Sequence, residues 1–210
     1  MIKNFDKPLA AWKRKERHNG EILDCLTIIF RTGGCRHNRC RMCGYRFERY
    51  AAGMGRGELA ALLRRQLASV LQQFPPEGYS MVKIFTSGSF LDGDEVPREA
   101  RDAIAEAFRG KVVIAETRPE YVTAENAADL ISLVDDGTHA VPLYVAMGLE
   151  TTDDYIREKC IDKGFTYRDF LEAGGEAHAA GAGVKTYLLL KPPFLTEAEA
   201  VEDMNRSIRD

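Results

Sequence analysis

From residue 22 onward, short apolar runs alternate with stretches in which apolar residues recur at helical spacing. The runs 23–31, 80–87, 111–117, 142–149 and 184–191 are rich in Val, Ile, Leu, Tyr and Phe. Several are continuous instead of alternating, the pattern of strands covered on both faces. Between them, 57–74 places Leu59, Leu62, Leu63, Leu67, Val70, Leu71 and Phe74 on one helical face, and Pro75-Pro76 stops it. A second helix is expected over 97–109, from Pro97 to a stop at Gly110, and a third over 124–134 around Ala127, Leu130, Ile131 and Val134. Thr166 can cap 167–180, although Gly174-Gly175 weakens that helix by roughly 1 kcal/mol per glycine. Thr196 and Glu199 form a capping box ahead of Ala200, Val201, Met204 and Ile208.

Five strand–helix repeats predict an α/β fold with a parallel sheet, barrel-like or doubly wound, and in either case ligands gather at the carboxyl ends of the strands. Residues 1–21 are polar and basic and are expected to form an arm; 22–210 are expected to form one core whose last unit is missing, because the last helix runs into Asp210 with no strand after it.

Apolar residues are 45% of the 210 and charged residues 29%, which excludes a disordered or fibrous chain. No apolar run approaches the roughly 20 residues of a membrane span, and the first residues lack an apolar signal core, so a cytoplasmic protein without a membrane partner is expected. The net charge of −3 hides an asymmetry: residues 1–65 hold 15 Lys and Arg against 6 Asp and Glu, and the remainder 14 against 26. A basic end on an acidic body suits an anionic partner, or a solvated basic arm.

The cysteines narrow the chemistry. Of five, Cys35, Cys40 and Cys43 crowd into TGGCRHNRCRMCGY directly after the first predicted strand. An odd count so distributed is a poor disulfide framework and points to metal ligation. Three thiolates in a short loop can hold three corners of a cubane cluster and leave the fourth iron open. A ferredoxin-type cluster would need a fourth cysteine, and the next is Cys160, three strand–helix units away; zinc held by the three cysteines and His37 is a further option. Cys25 and Cys160 read as packing residues. Arg31, Arg36, Arg39, Arg41, Arg46 and Arg49, interleaved with Tyr45, Phe47 and Tyr50, can stabilise thiolates, meet a nucleic acid, or simply be exposed loop charges.

With these residues the chain resembles the radical S-adenosylmethionine (SAM) superfamily, whose signature is three cysteines after the first strand of a partial (β/α)6 barrel. The usual spacing is C-x3-C-x2-C, and here the first gap is one residue longer. The resemblance implies a TIM-like barrel, a [4Fe–4S] cluster on Cys35, Cys40 and Cys43, and SAM on the open iron. One electron from a donor then cleaves SAM to a radical that abstracts substrate hydrogen. It also implies SAM contacts from Gly88 and Ser89 in SGSFLD, Glu116 in ETRPE, and Glu150 and Arg157 in GLETTDDYIREKCIDKGFTY, with Arg157 toward the SAM carboxylate and Lys163-Gly164 shaping the following turn. Glu116 could instead pair with Arg118, and Arg157 lie on a helix surface. Lys191, before Pro192-Pro193, is a candidate for a substrate carboxylate or phosphate, or part of a plain turn.

Together with YLLLKPPFLTEAEA these segments are similar to the radical SAM subunits of archaeosine synthases. That similarity implies a lyase of tRNA modification that cleaves the C–N bond of a lysine adduct on a 7-deazaguanine base in the D-loop. The implied partners are tRNA, an electron donor and the subunit that attaches the lysine. Those proteins are longer, which agrees with a shortened chain. The alternatives are another radical SAM tRNA-modifying enzyme and a non-catalytic iron–sulfur electron carrier.

Overall fold

The computed structural model describes residues 5–48, 51 and 53–210. Six strands form one sheet in the order β1 to β6: β1 Ala10–His18, β2 Glu21–Ile29, β3 Met81–Phe85, β4 Val112–Glu116, β5 Leu143–Glu150 and β6 Gly183–Leu188. β2 to β6 are parallel, and each pairs with the next strand in sequence. A strand order without reversal takes every right-handed crossover in the same direction, so the helices collect on one face and the sheet curls like part of a barrel. The helices are α1 Arg56–Gln73, α2 Arg98–Ala107, α3 Ala124–Val134, α4 Tyr167–Ala179 and α5 Glu197–Arg209, each close to its expected position.

The main core lies between sheet and helices. Leu26, Ile28, Val82, Ile84, Val113 and Val145 point toward α1–α4, where they meet Leu62, Leu63, Ile104, Leu130 and Ala177. The alternate positions face the concave side, where Cys25, Met81, Val112, Ile114 and Ala146 form a smaller cluster. The capping boxes of α4 and α5 form as expected, Thr166 with Asp169 and Thr196 with Glu199.

One expectation is corrected here. Residues 10–18 are not an arm but the edge strand β1, paired antiparallel with β2 from Ala10↔Ile29 to His18↔Glu21. The turn is Asn19-Gly20, both residues in the left-handed region at φ 48° and 87°, as a two-residue hairpin of this twist requires. The charges of KRKER suit an exposed edge, where they oppose pairing with a second sheet. Glu16 on this strand also reaches the buried Lys83 of β3 at 2.8 Å. Among the described residues no helix is long and apolar enough to cross a membrane.

Candidate active site at the carboxyl ends of the strands

A cavity of about 310 Å³ opens at the carboxyl ends of the strands. Cys35, Cys40 and Cys43 come from the loop after β2; the last residues of β4 and β5 supply Glu116 and Glu150, and the segments after β3 and β6 supply Gly88 and Leu189 among others. All three thiols are free. Burial pushes the Cys40 thiol up, and the Lys163 and Arg118 cations work against that rise.

The cysteine loop is held from both sides. On one side Arg36 donates to Asp92 at 2.7 Å and to Asp94 at 2.5 Å, and its guanidinium lies over the Tyr121 ring. There the backbone of Cys35 also packs on Gly88. A Cβ on Gly88 would fall 2.6 Å from the Cys35 Cβ and 2.7 Å from its Cα, so only glycine allows the two segments this close. On the other side His37 Nε2 meets the Asp162 carbonyl at 2.7 Å, and the Arg41 backbone N–H donates to the Ile161 carbonyl at 2.8 Å. The Arg41 guanidinium reaches the Lys159 carbonyl, and Arg39 lies 3.7 Å from Asp162. Several loop arginines thus act as struts. The cations beside the sulfurs are Lys163 and Arg118, which the sequence marks only as shaping a turn and as a possible partner of Glu116. Arg49 and Tyr50 lie outside the described residues.

The rest of the cavity lining is rich in acidic and basic side chains. Glu150 sits at a bulge that ends β5, at φ 69°, a conformation that costs a non-glycine residue energy and is held by its surroundings. Its Oε1 accepts from Lys163 Nζ at 2.7 Å, both side chains largely buried. Gly148 leaves the space for this pair, since a Cβ there would lie 2.6 Å from Glu150 Oε1 and 2.9 Å from Lys163 Nζ. Glu116 ends β4. Burial, reinforced by repulsion from Glu95 and Glu150 and opposed by Lys163, pushes its carboxyl up to about 8. Arg118 is fixed beneath: its backbone N–H donates to Ser89 Oγ at 3.1 Å, and its guanidinium donates to the Lys163 carbonyl at 2.9 Å and pairs with Glu120, not Glu116.

Two of the expected cofactor contacts are placed elsewhere. Ser89 is buried away from the cavity: its N–H donates to Glu95 Oε2 at 2.7 Å, and its hydroxyl accepts from Arg118. Arg157 is fully buried in a π-helical turn, Ile156–Ile161. Its guanidinium donates to the Thr151 carbonyl at 2.9 Å, the Phe165 carbonyl at 3.2 Å and the Asp154 carboxylate, so it holds the segment after β5 and does not line the cavity. Lys191 pairs with Glu197 on the surface. Cys25 is in the concave core, and Cys160 lines a separate depression with Tyr155 and Phe194.

These placements bear on the metal alternatives. His37 is engaged with a backbone carbonyl, and among the described residues no three His, Cys, Asp or Glu side chains converge as a single-ion site such as zinc needs. Cys160 does not reach the cavity as a fourth thiolate. Three thiols without a fourth cysteine among the described residues, on the wall of a cavity with a carboxylate–ammonium pair, fit a cluster with one open iron beside an amino-acid-bearing ligand. A family model of the radical SAM superfamily matches residues 29–206. The chain belongs to the radical SAM superfamily. Its cofactors are therefore a [4Fe–4S] cluster, which Cys35, Cys40 and Cys43 would hold, and SAM.

Relatives agree. The chain is 42% identical over 212 residues to archaeosine synthase subunit beta of Methanosarcina acetivorans, an alignment covering 98% of this chain and 59% of that one. It is 37% identical over 208 residues to the subunit of the same name from Thermococcus kodakarensis, covering 95% and 62%. The chain thus spans about three-fifths of the length of these curated relatives. Among solved structures, the queuine lyase from Clostridium spiroforme bound to SAM and queuine matches with a TM-score of 0.54 at 14% identity, over 95% of this chain and 90% of that one, a likeness of fold.

Proposed function

We propose that this protein is a radical SAM enzyme of tRNA modification, acting as a lyase on the C–N bond of a lysine adduct of a 7-deazaguanine base to give archaeosine. The observation that carries the enzymatic part is the set of three cysteines lining a cavity at the strand ends, without a fourth cysteine there among the described residues. The names of the relatives supply the product, archaeosine, and the lysine adduct is what the sequence resemblance implies. Bound at this site, the cluster and SAM supply one-electron chemistry that removes a substrate hydrogen atom.

The chain's own residues do the positioning. Lys163 offers an ammonium to a carboxylate, while Glu150 and Glu116 offer oxygen to an amine. SAM and a lysine adduct both present an amino-acid group of that kind, so the wall is complementary to either. Glu116 holds its proton to higher pH than a free carboxyl and can donate a hydrogen bond near neutrality. Gly88 and Arg36 fix the cysteine loop against the segment after β3, so that the sulfurs keep their place when the cavity fills.

Anaerobic reconstitution with iron and sulfide, followed by SAM and dithionite, should yield 5′-deoxyadenosine; Cys40→Ala should bind no cluster and Cys160→Ala should bind it normally. Addition of lysine-adduct tRNA should then shift the base mass to archaeosine. Active SAM cleavage with the adduct unchanged would refute the lyase assignment, and no cleavage at all would refute the enzyme.

A further inference from the structure

Lys163 carries the ammonium that pairs with Glu150 in the cavity, yet it stands in a turn outside any helix or strand. The backbone on both sides of it meets one side chain, His37 of the cysteine loop. Before Lys163, the Asp162 carbonyl accepts from His37 Nε2 at 2.7 Å. After it, Gly164 lies against the imidazole: a Cβ there would fall 2.3 Å from Cε1 and 2.7 Å from Nδ1, so the ring takes the space a side chain would need. The Lys163 carbonyl itself accepts from Arg118 at 2.9 Å. Three consecutive residues are thus clamped, two of them by His37. Asp162 and Gly164 are both in the left-handed region, at φ 59° and 77°, and Asp162 keeps that conformation at a cost its surroundings must offset. His37 lies within the four-residue gap between Cys35 and Cys40, and Asn38 beside it is left-handed as well, at φ 49°.

We infer that His37 is a positioning residue: it ties the turn that carries Lys163 to the cysteine loop, so that the ammonium meets the carboxylate of an amino-acid ligand at a set distance from the sulfurs. The inference rests on the reading of Lys163 under the proposed function and deepens it. The ammonium ends a flexible four-carbon chain, so its place depends on where the backbone of the turn is held. A ligand that needs both the cysteine loop and this ammonium needs them at a fixed separation. The other ties between the two segments do less for Lys163. The Arg41 N–H and guanidinium hold the Ile161 and Lys159 carbonyls, within the π-helical turn and not beside the lysine. The Arg39–Asp162 pair spans 3.7 Å with its guanidinium exposed, and such pairs contribute little.

A double-mutant cycle on the anaerobically reconstituted chain tests this, with iron per chain and the SAM dissociation constant from equilibrium dialysis as readouts. Lys163→Met should weaken SAM binding roughly 10- to 100-fold, the loss of one hydrogen bond to a charged group. His37→Phe keeps a ring beside Gly164 and removes the donor; it should hold wild-type iron and weaken SAM binding roughly 10-fold. In the Lys163→Met background the same change should cost less than about 2-fold, because a residue that acts through Lys163 then has nothing left to place. His37→Gln restores an N–H for the Asp162 carbonyl and should bind SAM within about 2-fold of wild type. Equal losses from His37→Phe in the two backgrounds, or no loss in either, would overturn the inference and leave the reading of Lys163 standing. Low iron in both His37→Phe and His37→Gln would make His37 a support of the cysteines themselves and overturn it too. Wild-type SAM binding by Lys163→Met would overturn the reading of Lys163 and the inference with it.

Discussion

The contact of Gly88 with Cys35 offers the sharpest test of how the cysteine loop is placed. Substituting Ala adds one carbon, and that carbon would lie 2.6 Å from the Cys35 Cβ, 2.7 Å from its Cα and 2.6 Å from Glu95 Oε2. Ordinary carbon contacts begin near 3.5 Å, so the two segments must part by about 1 Å. Neither neighbour can yield cheaply. The Cys35 atoms are backbone and Cβ, and the Glu95 carboxylate is tied at 2.7 Å both to the Thr32 hydroxyl and to the Ser89 N–H. Overpacking of this kind costs about 1–3 kcal/mol, or a melting point lower by roughly 3–10 °C in a domain of this size. If the loop shifts instead of the sheet, the loss appears in metal binding, because a displacement of about 1 Å is large on the scale at which a preorganised ligand set works. The assay is therefore double: melting of the apo protein, and iron per chain after anaerobic reconstitution. Gly57→Ala is the control, since that Cβ meets nothing within 4 Å on α1, and alanine there should stabilise by up to about 1 kcal/mol. A Gly88→Ala protein with both the wild-type melting point and the wild-type iron content would refute the packing of Cys35 on Gly88.

Arg157→Lys should destabilise the fold by about 3 kcal/mol in urea unfolding, because it strips two carbonyls and a carboxylate of their buried partner, while SAM affinity measured on the folded protein stays unchanged. Native stability with weakened SAM binding would restore Arg157 to the cofactor. Glu116 gives a pH signature. Its carboxyl is raised to about 8 in the fold from an ordinary 4.5, so the folded state holds a proton that the unfolded chain has released. Its contribution is lost as pH climbs from about 4.5 to about 8, and Glu116→Gln should melt with the wild-type apo protein at pH 5 but above it at pH 8, by up to a few kcal/mol. Equal melting points at pH 8 would show that Glu116 ionises freely.

Much of the fold was legible because buried parallel strands and amphipathic helices announce themselves by period, and all five parallel strands and five helices stand near their expected places. β1 escaped because KRKER reads as a solvated arm, yet Asn19-Gly20 between two extended segments was the hairpin signal available. The three cysteines, Glu116 and Glu150 were legible as a motif and as residues at strand ends, and they do line one cavity. Arg157 and Ser89 were not, because a sequence shows that an arginine or a serine is present and not which bonds it already makes. Lys163 was missed for the converse reason. It follows the π-helical turn, and only the fold of that turn returns it to Glu150, 13 positions earlier.

The charge asymmetry shows the same limit from another side. A basic first third suggested an anionic partner, but much of that charge is spent within the molecule. Lys15 meets Asp24, Arg65 meets Asp6, Arg36 meets Asp92 and Asp94, and Arg39 meets Asp162. Two of these tie the cysteine loop to the acidic body on either side of the cavity, so positive charge that looked like a ligand surface is structural. Exposed pairs contribute little individually, about 0–1 kcal/mol, but Arg36–Asp92 has its carboxylate 2% exposed and carries more. An anion must therefore be sought where a cation lacks a carboxylate, and in the cysteine loop and the turn after it that criterion selects Arg41 and Arg46 among the described residues.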